Sequence, residues 1–548
     1  MHDLVIRNAL LIDGRGSPPA RGDLAVSNQR ISQVGKVEGP STQTVEADGL
    51  ALMPGVIDNH THYDAQITWD RGLSPSPALG VTTAVIGNCG FTIAPCRPAD
   101  RELVMRNLTQ VEGMSLDVLR AGIRWDFESV PQYLDMLERN GAALNVAAFV
   151  GHSAVRTYVM HEDATERAAT DSEILEMKAL VAEAARAGAI GFSTSTSPAH
   201  NGEGGKPMPS RLAEEKEIRA LAGAAGGVFM LTKGGHTSID SLEGIAAATG
   251  GPVVIAALLH NSTNPDSVFK DLRAIEAANA RGHRLVGAVS CCPLSMDFTL
   301  RSPYVIEGLE AWKPALPLKG DAYKAKLREP SFRKAIRQEL SRPAHFRLFN
   351  GEWDKVEVVE SRNRSFENQN VKDLAEAARK DPLDCMLDLA LEENLDTVFN
   401  AMLLNSDEEA VGRMLKHPSS MVSLSDAGAH LTFFNDAGFG LHLLGHWVRR
   451  LGVLKLEEAV RKLTSQPAEV FGIGRRGALL PGYHADLLLF DPAKVDRGPK
   501  RRVRDLPGGH PRLTTDPVGV HGVWVNGVRL GEGKTPGRLL RSGDRNSR

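Results

Sequence analysis

The most constraining feature of the chain is the segment 54–64, PGVIDNHTHYD, where an apolar run ends in two histidines two positions apart. Residues i and i+2 of a β-strand face the same side, so the imidazoles of His60 and His62 can reach one divalent ion. A Pro-Gly pair before a short β-branched run predicts a strand that ends at these histidines. An isolated His-x-His pair often arises by chance, so a second segment has to support the metal interpretation.

That second segment is 424–430, LSDAGAH, which follows a short apolar run and combines a carboxylate with a glycine-containing turn. Polar clusters at strand ends that lie hundreds of residues apart are what a (β/α)8 barrel requires, because its site is assembled from the carboxyl ends of several strands. The two segments together favour a metal site over chance.

Composition places the chain among ordinary globular enzymes. It has 548 residues, of which 42% are hydrophobic and 24% charged, and its formal net charge is −3. This charge gives no electrostatic case for nucleic acid or an anionic membrane as a partner. We expect no membrane span and no signal peptide, and the odd number of cysteines, five, indicates reduced thiols in the cytoplasm. The sequence leaves the oligomeric state open, including a homo-oligomer.

Short apolar strands alternate with amphipathic helices through the middle of the chain, which predicts an α/β fold with a parallel sheet. The predicted strands are 82–86, 144–150, 189–193, 227–231, 252–259 and 421–424, and the predicted helices include 171–187 and 267–281. Strand patterns at both ends of the chain, at 4–14, 23–31, 484–491 and 522–528, predict one small β domain into which the middle is inserted.

The same patterns suggest a domain organisation. We expect the β domain to comprise 1–54 and 477–536, and the barrel to comprise 55–476. Residues 291–370 break the alternation and are too long for an ordinary loop, so we interpret them as an irregular insertion that covers the site as a lid. The tail 537–548 is predicted to be disordered.

Side chains that can bind a metal follow several predicted strands. They are His60, His62, Cys89, Lys233, His236, His260 and Asp426. Imidazole, thiolate and carboxylate are all zinc ligands. Asp426 can serve as ligand and general base, because a carboxylate beside a metal-activated water can take its proton. Cys89 also has a simpler interpretation as a small buried residue.

With these residues the chain resembles the amidohydrolase superfamily, and within it the D-aminoacylase (N-acyl-D-amino-acid deacylase) branch. The resemblance rests on the segments 54–64, 87–95 (GNCGFTIAP), 188–194 (GAIGFST), 424–430 and 480–487 (LPGYHADL). It implies a TIM-like (β/α)8 barrel with a small β-sandwich from both termini, one or two zinc ions, and hydrolysis of the amide C–N bond of an N-acyl amino acid or related small amide. The ligands it implies are His60, His62, Cys89 and His260, with Asp426 as catalytic aspartate.

One position departs from the family, because the histidine expected after the fifth strand is replaced by a stretch with Thr232, Lys233 and His236. In a first interpretation, Lys233 is carboxylated and its carbamate bridges two metals, which requires a neutral amine. In a second, Gly234-Gly235 bends the chain so that His236 reaches the metal. In a third, Lys233 binds a substrate carboxylate and the site holds one metal.

Four residues are expected near a small-molecule amide substrate. They are Tyr63, His152, His236 and His430. No Gly-x-Ser-x-Gly motif occurs, which removes the usual anchor of a serine hydrolase, and the segment Gly533-Lys534-Thr535 lacks the first glycine of a P-loop. We therefore predict a zinc-dependent amidohydrolase. The alternatives are a cyclic amide or carbamate hydrolase and, in a different class, a catalytically silent barrel that binds a ligand.

Overall fold

The computed structural model describes residues 1–111, 113–342 and 347–542. The chain divides into two compact units, of which the second comprises 259–271 and 292–414 and the first comprises the rest. The strands are β1 (His2–Leu11), β2 (Ala20–Ser27), β3 (Arg30–Gly35), β4 (Ser41–Glu46), β5 (Ala51–Pro54), β6 (Val56–Asp58), β7 (Val81–Ile86), β8 (Asn145–Ala148), β9 (Val150–Gly151), β10 (Gly191–Ser195), β11 (Val228–Thr232), β12 (Val253–Leu258), β13 (Leu285–Val289), β14 (Leu294–Phe298), β15 (Val356–Glu360), β16 (Val398–Leu404), β17 (Ser420–Val422), β18 (Leu487–Phe490), β19 (Asp496–Leu506), β20 (His510–Val518), β21 (Val520–Val525) and β22 (Val528–Arg529).

Helices separate many of these strands, as the sequence predicts. They are α1 (Arg101–Val111), α2 (Leu116–Gly122), α3 (Val130–Asn140), α4 (His152–Met160), α5 (Asp171–Arg186), α6 (Glu215–Ala225), α7 (Ile239–Thr249), α8 (Ser267–Ala280), α9 (Gly320–Arg328), α10 (Pro330–Leu340), α11 (Val371–Ala378), α12 (Pro382–Glu392), α13 (Glu408–Lys416), α14 (Phe439–His442), α15 (Leu456–Leu463) and α16 (Ser465–Phe471). A π-helical stretch, Leu443–Arg450, continues α14. None of the helices within the described ranges is long and apolar enough to cross a membrane.

Both ends of the chain contribute to one sheet of the first unit. Its strand order is β22-β21-β18-β5-β1-β2-β3, and β4 pairs with β1. The amino-terminal strand β5 lies between β1 and the carboxyl-terminal strand β18. Leu4, Ile6 and Trp524 are buried in its apolar core. The prediction that strands from both termini combine is therefore confirmed.

Two parallel sheets of the first unit position the candidate site. One has the order β6-β7-β8, the other has the order β17-β13-β12-β11-β10-β9, and all of their pairings are parallel. The residues of β7, β10 and β11 are all buried, as expected where helices cover a parallel sheet. Because the strands run in one direction, the residues that follow them gather at one edge of each sheet.

The second unit has its own core and sheet. Strands β14, β16 and β15 pair in an antiparallel sheet, and Trp312, Phe399 and Leu327 are fully buried. The unit contains most of the predicted insertion and continues to Met414. Its interpretation as a lid stays a prediction.

The carboxyl-terminal tail differs from its prediction. Residues 537–542 are hydrogen-bonded, with Gly537 N donating to Ala142 O (2.8 Å), Leu540 N to Val146 O (2.8 Å) and Ser542 N to Gly188 O (3.0 Å). These bonds to folded segments correct the prediction of disorder for 537–542. The remaining tail residues, 543–548, lie outside the described part of the chain.

Candidate metal centre

His60 and His62 come directly after β6. Two backbone hydrogen bonds hold them against the residues after β17, with Asp426 N donating to His60 O (3.2 Å) and His62 N donating to Ala427 O (2.7 Å). This approach requires Gly428, because a Cβ atom there would lie 2.6 Å from the carbonyl carbon of His62. Both imidazoles therefore have fixed positions at the strand end.

Cys89 lies in a tight turn after β7. Its backbone is left-handed, with φ 58°, which costs energy for a residue with a side chain and has to be held by surrounding contacts. Ser193 supplies such contacts, because its hydroxyl donates to Gly87 O and accepts a hydrogen bond from Gly90 N (3.0 Å). The turn consequently presents the Cys89 thiol at a defined point.

Four side chains converge at this point. The ligand atoms of His60, His62 and Cys89 lie within 4.8 Å of one another, with Cys89 Sγ 3.5 Å from His60 Nε2 and 3.9 Å from His62 Nε2. Asp426 Oδ1 lies 3.2 Å from His60 Nε2 and 3.7 Å from His62 Nε2. The side chain of Asp426 is 20% exposed, whereas the two histidines are almost fully buried. The carboxylate is therefore the member that solvent or substrate can reach.

The charges in this cluster shift each other's pKa. Burial by itself raises the pKa of the Cys89 thiol, but His60 and His62 outweigh it and lower that pKa to about 6. Burial also opposes ionisation of Asp426, yet the same histidines hold its pKa well below the usual range. Thiolate and carboxylate are the forms that bind a cation. Two imidazoles, a thiolate and a carboxylate within ligand distance of one point fit a zinc ion.

Two buried aspartates beside the histidines were not among the predicted site residues. Asp64 Oδ2 accepts a hydrogen bond from Gly87 N (2.9 Å) and thereby helps to fix the turn of Cys89. Burial raises the pKa of both Asp58 and Asp64 to about 7. The signal was present in the sequence, because Asp58, His60, His62 and Asp64 alternate with period two.

At the fifth-strand position, the hydroxyl of Thr232 lies 3.1 Å from Cys89 Sγ. Lys233 is half-buried, and its backbone amide donates to Ala256 O (2.6 Å). His236 is exposed on the following loop. The residue that contacts the cluster at this strand is thus Thr232, which sequence reasoning named without giving it a role.

Tyr63 and His152 are fully buried and already engaged. Tyr63 Oη lies 2.6 Å from the hydroxyl of Ser76. His152 Nδ1 lies 2.7 Å from the hydroxyl of Thr194, and its Nε2 lies 2.8 Å from a carboxylate oxygen of Glu217. These contacts engage both side chains within the protein, and the expectation that they bind substrate stays a prediction.

Two half-buried histidines lie beside the cluster. His430, a predicted substrate-binding residue, follows Asp426 by four positions, and its pKa is lowered by burial to about 4. His200, which sequence reasoning missed, makes a T-shaped contact with Phe91, with ring centres 4.9 Å apart. Phe91 in turn stacks on His62 at 6.3 Å. His260 belongs to the second unit, where Asn405 Oδ1 accepts its backbone N–H (2.7 Å), and its role as a ligand stays a prediction.

A sequence model of the amidohydrolase family matches residues 43–284 and 341–530. The chain belongs to this family. It is 31% identical to a D-aminoacylase of Alcaligenes xylosoxydans xylosoxydans over 98% of this chain and 97% of that protein. The predicted superfamily and branch are thereby confirmed.

Two solved structures share the amidohydrolase fold of this chain. N-acyl-D-glutamate deacylase from Bordetella bronchiseptica, complexed with zinc and a phosphonate inhibitor, has a TM-score of 0.67 at 25% identity, covering 98% of this chain and 99% of that one. A D-aminoacylase with a binuclear metal centre has a TM-score of 0.67 at 26% identity, covering 99% of this chain and 100% of the other. The likeness thus extends over the whole chain in both comparisons.

Proposed function

We propose that this chain is a zinc-dependent hydrolase that cleaves the amide bond of an N-acyl-D-amino acid. The observation that carries the proposal is the convergence of His60, His62 and Cys89 within 4.8 Å, with the Asp426 carboxylate 3.2 Å from His60. The activities named for the D-aminoacylase and N-acyl-D-glutamate deacylase relatives supply the substrate class. We infer that these four residues hold a zinc ion.

We also propose that the two parallel sheets close into an eight-stranded barrel. Strand β9 continues β8 after the single residue Phe149, which joins the sheets at one side. At the other side Thr61, beyond β6, pairs with Ala427, beyond β17. Closure would gather the ends of all the strands around the metal centre, as in other (β/α)8 enzymes. The boundaries 55–476 for this barrel and 1–54 with 477–536 for a β-sandwich remain part of the proposal.

In the proposed mechanism, a bound zinc ion would polarise the scissile carbonyl and lower the pKa of the attacking water. Asp426 accepts the proton of that water on its carboxylate and passes it to the nitrogen of the leaving amine. Its ionised state and partial exposure suit the first of these steps, because an ionised, accessible carboxylate is required. His60 and His62 hold the carboxylate in place.

For the fifth-strand position we favour the third of the three interpretations, a single metal without a carboxylated lysine. The side chain of Thr232, the last residue of β11, contacts Cys89, and His60, His62, Cys89 and Asp426 supply four ligands without Lys233. His236 lies on an exposed loop. Binding of a substrate carboxylate by Lys233 stays a prediction.

The test combines metal content with turnover. The zinc-loaded protein is assayed against paired N-acyl-D- and N-acyl-L-amino acids, with amine release as the readout. We expect activity on the D series, and we expect Asp426→Asn to lower kcat about a thousandfold because a general acid–base group is lost. Zinc content is measured on each sample and kcat is expressed per bound zinc, because Asp426 is also a proposed ligand, and Asp516→Asn, at an exposed ion pair with Arg501, serves as the control. A zinc-loaded Asp426→Asn protein with unchanged kcat would contradict the proposal.

We further propose a cytoplasmic location and a small-molecule amide as the partner. Support for the location comes from the five cysteines, because none of them forms a disulfide in the described part of the chain. Reduced thiols are typical of the cytoplasm.

A further inference from the structure

His200 lies on the loop after β10, one aromatic ring away from the metal centre. Phe91 stacks on His62, with ring centres 6.3 Å apart, and makes a T-shaped contact with His200, with ring centres 4.9 Å apart. The row of three rings thus starts at a proposed zinc ligand and ends at His200. No role follows for His200 from the mechanism above, although its ring is adjacent to the cluster.

The loop that carries His200 is held by several hydrogen bonds. The carbonyl oxygen of His200 accepts from Arg211 Nη1 and from Met208 N, both at 3.2 Å. The hydroxyl of Ser210 donates to Ser195 O at 3.0 Å. A ring whose backbone is fixed in this way is pre-organised, which is a requirement for electrostatic stabilisation of a transition state.

The hydrogen bonds of Ser195 define the tautomer of His200. Ser195 Oγ accepts a hydrogen bond from Ser197 N (3.1 Å) and lies 2.7 Å from His200 Nδ1. Ser195 is fully buried, and among the described residues its hydroxyl proton has no acceptor other than His200 Nδ1. Donation of that proton to Nδ1 is therefore the favoured arrangement, and a neutral His200 then carries its own proton on Nε2. Nε2 makes no hydrogen bond to any residue in the described part of the chain, and its N–H is available to a ligand.

The groups around His200 favour the neutral imidazole. Burial lowers its pKa to about 3, with further lowering by His430, His62 and His60, against which Asp426 acts in the opposite direction. A cation bound at the centre would add to the lowering. His200 would therefore be a neutral N–H donor at neutral pH, beside an ionised Asp426.

We propose that His200 Nε2–H donates a hydrogen bond to the carbonyl oxygen of the substrate while that oxygen gains negative charge. This inference rests on the proposed deacylase function. A bond forms between the water oxygen and the carbonyl carbon, the C–N bond breaks, and Asp426 carries a proton from the water to the amine nitrogen. His200 keeps its own proton throughout, so its contribution is a hydrogen bond that strengthens in the transition state.

The experiment compares three substitutions of His200 in the zinc-loaded full chain. His200→Ala removes ring and donor, His200→Phe keeps a ring against Phe91 without a donor, and His200→Gln offers an amide N–H. The control is His521→Ala, which changes an exposed histidine on β21. Zinc content, kcat and KM are measured for each protein with the best N-acyl-D-amino acid of the panel.

We expect His200→Ala and His200→Phe to lower kcat about a hundredfold, with KM changed less than about threefold, because one oxyanion donor is lost. His200→Gln should recover about tenfold of that loss, and zinc content should stay at the wild-type value in all variants. A fully active His200→Phe protein would reduce His200 to a packing residue and overturn the inference. A zinc-loaded wild type that is inactive on the whole panel would instead overturn the proposed function, and this inference with it.

Discussion

Two groups of buried histidines and carboxylates lie in the first unit, and they differ in how their polar atoms are used. In one group, His152 Nε2 lies 2.8 Å from Glu217, and Arg156 Nη1 donates to both carboxylate oxygens of Glu217 at 2.7 and 2.5 Å. In the other, the atoms of His60 and Cys89 point toward a common centre, at the longer separation of 3.5 Å. We call the first group, His152, Arg156 and Glu217, the paired cluster, because its side chains hydrogen-bond one another. We call the second group, His60, His62, Cys89 and Asp426, the converging cluster, because its ligand atoms point toward one centre.

This difference distinguishes a structural cluster from the proposed metal site. Buried charges are retained in a fold when each has a partner at hydrogen-bonding distance, which is the arrangement around Glu217. Imidazole, thiolate and carboxylate atoms that converge on one point can instead all bind a single ion. Strain points the same way, because Cys89 and Asp426 have left-handed backbones with φ 58° and 47°. The clusters should therefore respond differently to substitution.

The largest expected effect is on catalysis at the converging cluster. His60→Ala should abolish stoichiometric zinc binding and lower kcat/KM at least about a thousandfold, because both the metal and its chemistry are lost. The free energy of unfolding of the protein, measured after the metal has been removed by a chelator, should change by only about 1 kcal/mol. Metal analysis, turnover and urea denaturation measure these three quantities, with His521→Ala as control. A His60→Ala protein that still binds one zinc tightly would contradict the assignment of the converging cluster as the metal site.

The next effect is on stability at the paired cluster. Glu217→Gln should lower the free energy of unfolding by about 3–5 kcal/mol, because the charge of Arg156 stays buried without its counter-ion. Zinc stoichiometry should not change. The matched control is Glu203→Gln, which affects an exposed pair with Arg106 and should cost less than about 1 kcal/mol. Equal destabilisation by the two substitutions would contradict the structural role assigned to Glu217 as the counter-ion of Arg156.

Thr232→Val tests a residue that contacts the converging cluster without being one of its ligands. Valine keeps the shape of threonine but removes the hydroxyl 3.1 Å from Cys89 Sγ. Loss of a partner that orients a ligand typically weakens metal binding about ten- to a hundredfold. Competition with a chelator measures the affinity, and Thr237→Val, on the loop after β11, is the control. Unchanged zinc affinity would show that the hydroxyl does not support the thiolate.

The smallest effect concerns pH. Burial lowers the pKa of His152, and the attraction of Glu217 does not compensate. The unfolded chain therefore takes up this proton first as the pH falls below about 6.5, so the stability that His152 contributes is present above that pH and lost below it. One such proton contributes at most about 1.4 kcal/mol per pH unit. Chelated wild type should lose more stability between pH 7.5 and 5.5 than His152→Gln, and equal losses by urea denaturation would refute this prediction.

The sequence predicted those features that depend on local periodicity. His60 and His62 could be placed together because the alternation of a strand puts residues i and i+2 on one side. The strands 82–86 and 252–259 were placed within about two residues of β7 and β12. Strand β13 was missed, because Gly287 interrupts an already short apolar run.

Residues whose roles depend on distant partners could not be predicted in the same way. His152 follows a strand as a site residue would, but its partner Glu217 lies 65 positions further along the chain. Thr232 has no pattern that marks it, and only the folded sheet brings it to Cys89. His200 lies on a loop without strand periodicity, and its proximity to the cluster is apparent only through the packing of Phe91.

The sheet built from both termini has a consequence for synthesis of the chain. Strand β5 is complete once residue 54 has been made, but its neighbour β18 begins only at residue 487. At about 5–20 residues per second, the open edge of β5 waits about 20–90 s on the ribosome for its partner. During that interval an unpaired apolar strand is exposed to other nascent chains. Yield of soluble protein should therefore depend on chaperones that shield this edge until translation is almost finished.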